Sequence, residues 1–123
     1  MRQQYFFRPS PRGLLAWDVT RLVQLTSAFP RTRVPLTQIR ELDEPWHADH
    51  DPATWRDFVY HATLMGEADA SFPIILAADG TVMDGMHRVA KALQAGRADI
   101  EAVQFDVDPP PDHVGKTPEE LPY

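Results

Sequence analysis

The chain has 123 residues, of which 43% are hydrophobic and 24% charged, enough apolar material for one domain with a buried core. It contains no cysteine, so disulfides, thiolate metal sites and cysteine nucleophiles are excluded together. Its formal charge of −6 is unevenly spread, and the overall acidity argues against a general DNA binder. Residues 1–40 carry seven Arg and one Asp, residues 41–69 eight acids and one Arg, and residues 106–123 five acids and one Lys. The simplest expectation is that the basic and acidic parts complement each other in the fold.

The opening "MRQQYFFRPSPRG" does not read as a secretory signal, because charges and prolines stand where an apolar stretch is needed. No apolar run reaches the roughly 20 residues that span a bilayer. A cytoplasmic protein without a membrane partner is expected. Residues 1–13 are expected to form an irregular arm, with Tyr5, Phe6 and Phe7 available for docking or a dimer contact. From Leu14 to Phe29 the pattern is helical. Asp18 can accept from first-turn N–H groups, Val19, Leu22, Val23 and Thr26 share a face, and Pro30 stops the helix.

"TRVPLTQI" reads as a short extended segment whose Pro35 marks an edge strand. "RELDEPWHADHDP" is a polar loop of about a dozen residues, a length often associated with function. Asp51-Pro52 gives an N-cap followed by Pro at the first helical position. Trp55, Phe58, Val59, Ala62 and Met65 then form the expected buried stripe of a helix ending near Gly66. His61 lies off that stripe, at an exposed or half-buried position.

"FPIILAADGTVMDG" reads as a β-hairpin. Ile74, Ile75 and Leu76 suit a strand covered on both sides, and Asp79-Gly80 suits a type I′ turn. Met86, Val89, Ala90 and Leu93 mark the next helix, and Gly96 its end. "DIEAVQFDV" is the last strand, with Ala102 or Val103 and Phe105 inward. Residues 108–123 form a proline-rich acidic tail, expected to be extended or disordered. Residues 14–107 are then a single α+β domain with a small mixed sheet flanked by helices.

The chemistry concentrates in Asp84-Gly85-Met86-His87-Arg88. The first N–H groups of a helix have no internal partner, and its dipole favours anions there. Asp84 or Gly85 caps the helix, and Gly85 lets an anion approach the backbone. His87 can donate to a phosphate oxygen, and Arg88 can pair with one in bidentate fashion. Asp84 could cap the helix, orient His87 or hold a metal that accompanies the phosphate. Arg88 in the first turn works against the dipole, and such local conflicts collect at functional sites.

"PIILAADGTVMDGMHRVAKALQAGRADIEAVQF", residues 73–105, resembles the core of the ParB/sulfiredoxin superfamily, and "TRVPLTQI" resembles the first strand of that fold. The resemblance covers residues 32–105. Sulfiredoxins have Gly-Gly-Cys-His-Arg here; Met86 stands at the cysteine position, and a thioether cannot serve as a thiolate nucleophile. ParB proteins use a Gly-Glu-Arg-Arg type motif and carry a helix-turn-helix domain, neither of which is present. The free-serine kinases have Asp-Gly-His-His-Arg, which differs only at Met86. The resemblance implies phosphate binding by Gly85, Met86, His87 and Arg88, with ATP, ADP or CTP as ligand and Mg²⁺ held mainly by the phosphates. It also implies phosphoryl transfer to a small hydroxyl substrate, with Asp84 and His87 at the site and Glu44 or Glu41 as base.

Other readings have less behind them. "HADHD" has His47 and His50 at H-x-x-H spacing around Asp49, but metal sites need three or four convergent ligands, and no metal site is expected. His113, in the tail, has no evident role. The three Trp residues suit core or lid positions rather than a nucleic-acid platform. A non-catalytic module that binds a protein or DNA through the arm and tail is the main alternative, and a homodimer would fit it. A nuclease ranks last, since no carboxylate cluster is arranged for two metals.

Overall fold

The computed structural model describes residues 4–45 and 54–123. In chain order these form β1 (Tyr5–Arg8), β2 (Leu15–Asp18), α1 (Val19–Thr26), β3 (Thr32–Pro35), α2 (Trp55–Glu67), β4 (Ile74–Leu76), β5 (Val82–Asp84), α3 (Met86–Gln94), β6 (Asp99–Gln104) and β7 (His113–Val114). Two short 3₁₀ turns, Leu36–Gln38 and Arg40–Asp43, follow β3. The protein is α+β, with one four-stranded sheet in the order β3-β6-β4-β5 and one three-stranded sheet in the order β1-β2-β7. The larger sheet is mixed: β6 runs antiparallel to β3 and parallel to β4.

Alternation along the strands divides the core between the two faces of this sheet. Ile74, Leu76, Val82 and Ala102 point to one side and pack with Leu36, Ile39, Val89 and Ala92. Ile75, Met83 and Val103 point to the other side and pack with Trp17, Leu22, Ala77 and Phe105. Helix α3 therefore covers one face, while β2 and α1 cover the other. Each fully buried Ile or Leu in such a core stabilises by about 1.5–3 kcal/mol. Pro35 lies on the edge strand β3 as its missing N–H requires.

Several expectations are corrected. The N-terminal arm is a strand: Phe6 pairs with Trp17 and Phe7 with Ala16 across β1 and β2, a use that suits aromatic residues. The helix expected over residues 14–29 begins only at Val19, because residues 15–18 are drawn into β2 between β1 and β7. Asp18 is its N-cap and accepts from Thr20 N–H at 2.9 Å. Val19, Leu22 and Thr26 are buried, but Val23 is exposed.

The proline-rich tail is held against the small sheet. Prolines lack an N–H, so only their carbonyls need partners. Pro109 O accepts from Trp17 Nε1 at 2.8 Å, and Pro110 O accepts from Arg21. Asp112 accepts from Asp18 N–H and pairs with Arg21, and Leu121 is buried. The N-terminal arginines pair with acids further along the chain than residues 41–69: Arg8 with Asp79 and Asp108, Arg31 with Glu101, and Arg33 with Asp99.

The Asp79-Gly80 turn is not type I′, which needs positive φ at both central residues. Gly80 alone is left-handed there, at φ +88°. Ala77 O accepts from Gly80 N–H, and Ala77 N–H donates to Thr81 O. Both Ala102 and Val103 turn out to be buried, because β6 is central and covered on both faces.

Helix α2 starts from a capping box between Thr54 and Asp57; the expected Asp51 cap lies outside the described residues. Its apolar stripe is not buried. Trp55 is 85% exposed, and Phe58, Val59 and Tyr60 are each more than half exposed, because α2 rests on α3 rather than on the sheet. In α3 the buried residues are Val89 and Ala92, whereas Leu93 is exposed. Gly96, at φ +73°, closes α3 with a Schellman motif: its N–H donates to Leu93 O and that of Arg97 to Ala92 O. No helix among the described residues is long and apolar enough to cross a membrane.

Candidate functional site

The junction of β5 and α3 is built around Gly85. This residue is the N-cap of α3 at φ +111°, a conformation that L side chains rarely adopt. A Cβ there would lie 2.7 Å from Ile74 Cγ2 and 2.9 Å from Arg88 Nη2. Two independent constraints thus require glycine. Of the two expected caps, Asp84 is not one, and no side chain among the described residues caps α3. Val89 N–H donates to Gly85 O. The N–H groups of Met86, His87 and Arg88 have no acceptor within the helix.

This helix start opens into a cleft of about 440 Å³. Asp84, Gly85, Met86 and His87 form one wall. Tyr5 and Phe7 of β1, Tyr60 of α2 and Tyr123 supply aromatic rings around it. Tyr5 OH donates to Pro122 O, and the Tyr5 and Tyr123 rings meet edge to face at 5.5 Å. Tyr123 OH donates to Pro118 O at 2.9 Å. Both chain ends thus help to shape the cleft.

Arg88 is the expected site residue that turns away. Its Nη2 donates to Asp84 Oδ2 at 2.8 Å, and both side chains are largely covered. It lies beside Lys91 and Arg97, at a smaller pocket of about 120 Å³ on another side of α3. The expected conflict between Arg88 and the helix dipole is answered by Asp84, one turn earlier. Lys91 donates to the carbonyls of Gly66 and Ala68, which ties α3 to the end of α2.

Neither candidate base lines the cleft. Glu41 Oε2 accepts from Val82 N–H at 2.5 Å, on the edge of β5. Its Oε1 is buried without a hydrogen-bond partner among the described residues. Glu44 is exposed where the 3₁₀ turn ends. Trp46, His47, Asp49 and His50 lie outside the described residues. Among the described residues no group of three or more His, Asp or Glu could hold a metal.

The sequence places His61 off the α2 stripe, at an exposed or half-buried position with no site role, yet the fold brings it against His87. Its Nδ1 lies 3.0 Å from Nε2 of His87. Burial, and secondly the charge of His61, lower the pKa of His87 from the ordinary histidine value, while Asp84 acts in the opposite direction. A single His off the apolar stripe of an amphipathic helix gives no sequence signal for such a contact. The Asp84–Arg88 pair did have one, its i,i+4 spacing. Family models, curated proteins and solved structures yield no significant match to this chain.

Proposed function

We propose that the cleft binds the phosphate of a nucleotide such as ATP, ADP or CTP. One observation carries this reading: α3 begins without a side-chain cap, on a left-handed glycine, at the wall of a cleft that also holds His87 and aromatic rings. Free helix N–H groups and the dipole suit an anion. His87 adds a side-chain donor, and the Tyr and Phe rings offer surfaces for a base. Met86 contributes its backbone N–H. Arg88 acts from behind, by holding Asp84 and filling the space beside Gly85. The ParB/sulfiredoxin resemblance and a cytoplasmic setting belong to the same reading.

Isothermal titration of the full chain with each nucleotide, with and without Mg²⁺, tests it. A saturable heat with one site per chain is expected. No heat from any of the three at millimolar concentration overturns the proposal.

Phosphoryl transfer extends the reading. The γ-phosphoryl group would pass from ATP to a small hydroxyl compound such as serine, leaving ADP and a proton, with Mg²⁺ held by the phosphates. With Glu41 bound at Val82 and Glu44 outside the cleft, the carboxylate nearest the helix start is Asp84. ADP formation that requires the added hydroxyl compound, and is lost in Asp84→Asn, is the expected result.

A second reading, a protein-binding module, is favoured by the exposed Trp55, Val59 and Tyr60 on α2. It no longer draws on a free arm or tail, since both are folded. If the partner is a second copy, sedimentation at twice the chain mass is expected, and Val59→Asp should abolish it.

A further inference from the structure

The contact between His61 and His87 has a definite geometry. Their ring planes are only 17° apart, yet the centroids lie 5.2 Å from each other. With Nδ1 of one ring 3.0 Å from Nε2 of the other, the nitrogens lie close to the line joining the centroids. The rings therefore meet edge to edge through a hydrogen bond and do not stack face to face. Such a bond needs one N–H and one lone pair. It survives with no added proton or with one, but two added protons would set N–H against N–H.

The bond also occupies Nε2 of His87. Nδ1 is the ring nitrogen left for a ligand. If His61 donates, His87 keeps its proton on Nδ1 and offers a donor; if His61 accepts, a neutral His87 offers only a lone pair. An anion in the cleft selects the first arrangement.

We propose that His61 is a positioning residue for His87. It holds Nε2 so that Nδ1–H serves the anion, and the two rings together take up one proton when the anion binds. This rests on the phosphate-binding reading.

The surrounding groups are compatible with a single added proton. Asp84 of β5 favours the charge, but its carboxylate is paired with Arg88 of α3. Tyr60 of α2 meets the His61 ring edge-on at 5.5 Å. Lys91 of α3 is held by the carbonyls of Gly66 and Ala68. Across the cleft, the hydroxyls of Tyr5 and Tyr123 donate to the carbonyls of Pro122 and Pro118. Burial and His61 hold His87 neutral more strongly than Asp84 favours its charge. A bound phosphate adds negative charge and raises the proton affinity of the pair. Anion affinity should then weaken as pH rises through the histidine range, by about tenfold per unit at most.

Two measurements on the full chain test this. Ring-nitrogen NMR follows both histidines against pH in the wild type, His61→Ala and His61→Asn. Titration with ATP in two buffers of different ionisation heat counts the protons taken up. In the wild type the two rings should titrate as a coupled pair, the second proton adding at much lower pH than the first. ATP binding near pH 7 should take up a fraction of a proton, rising toward one where the bound pair holds its single added proton in full. His61→Ala should weaken ATP binding about fivefold, the scale of one lost hydrogen bond, and release the fixed tautomer. His61→Asn supplies an amide N–H in place of Nδ1–H and should restore both. Independent titration of the rings in the wild type overturns the proposal. ATP binding without proton uptake, and indifferent to His61→Ala, overturns it as well. A chain that binds no nucleotide removes the parent reading, and coupled ring titrations then still support the pair.

Discussion

Helices α2 and α3 lie against each other, yet they are helices for different reasons. Helix α3 spans nine residues and buries Val89 and Ala92 in the sheet core. Its N-terminus has no side-chain cap, and its position is set by packing and by Gly85. Helix α2 spans 13 residues, buries none of them fully and has a complete capping box. Tertiary burial holds the first, and local hydrogen bonds hold much of the second. The unguarded end of the well-packed helix is the one that opens on a cleft, which is where a ligand can replace a cap.

Substitutions should separate these two modes. The largest effect is expected at the start of α3. Gly85→Ala forces a side chain into φ +111° and against Ile74, and should cost about 3 kcal/mol in denaturant unfolding. Val89→Ala, in the same helix but fully buried, should cost about 2 kcal/mol. In α2 the sensitive point is the cap: Thr54→Ala should cost about 1 kcal/mol. If Thr54→Ala proved costlier than Val89→Ala, the contrast between the helices would fail.

A smaller effect is expected from pH. His87 binds its proton less readily in the folded chain than in the unfolded one, so the unfolded state gains protons first. Stability should be full above the ordinary histidine value near 6.5 and fall as pH drops below it, down to the folded pKa. Unfolding midpoints at pH 8 and pH 5 measure this, and the fall should be smaller in His87→Gln. The smallest effect is expected at Trp55→Ala, within about 0.5 kcal/mol, because the ring is largely solvent-exposed.

Local chemistry was legible in the sequence. Asp18 as a cap, Pro35 on an edge strand, the strand pair around Asp79-Gly80 and Gly96 as a helix end all follow from short-range rules, and all appear. Long-range pairing was not legible. Strand β7 joins β2 across about a hundred residues of chain, while β1 reaches β2 through a hairpin over residues 9–14, and no periodicity in 1–13 or 108–123 announces either pairing. The α2 stripe shows a further limit. Helical spacing tells which residues share a face but not what lies opposite, and here that is largely solvent. At the site, Gly85, Met86 and His87 could be placed from the turn and the helix start. The cleft's other walls come from Tyr5, Tyr60 and Tyr123, and His61 comes from a separate helix. Those contacts exist only after folding.

Glu41 has a consequence for the behaviour of the protein in concentrated solution. Strand β5 is at the end of the larger sheet, with β4 as its neighbour, and Glu41 takes up the N–H of Val82 on that edge. An open row of backbone donors invites another chain to extend the sheet. Here a carboxylate occupies the place that a carbonyl from a neighbouring molecule would need, so one side chain guards this border against aggregation.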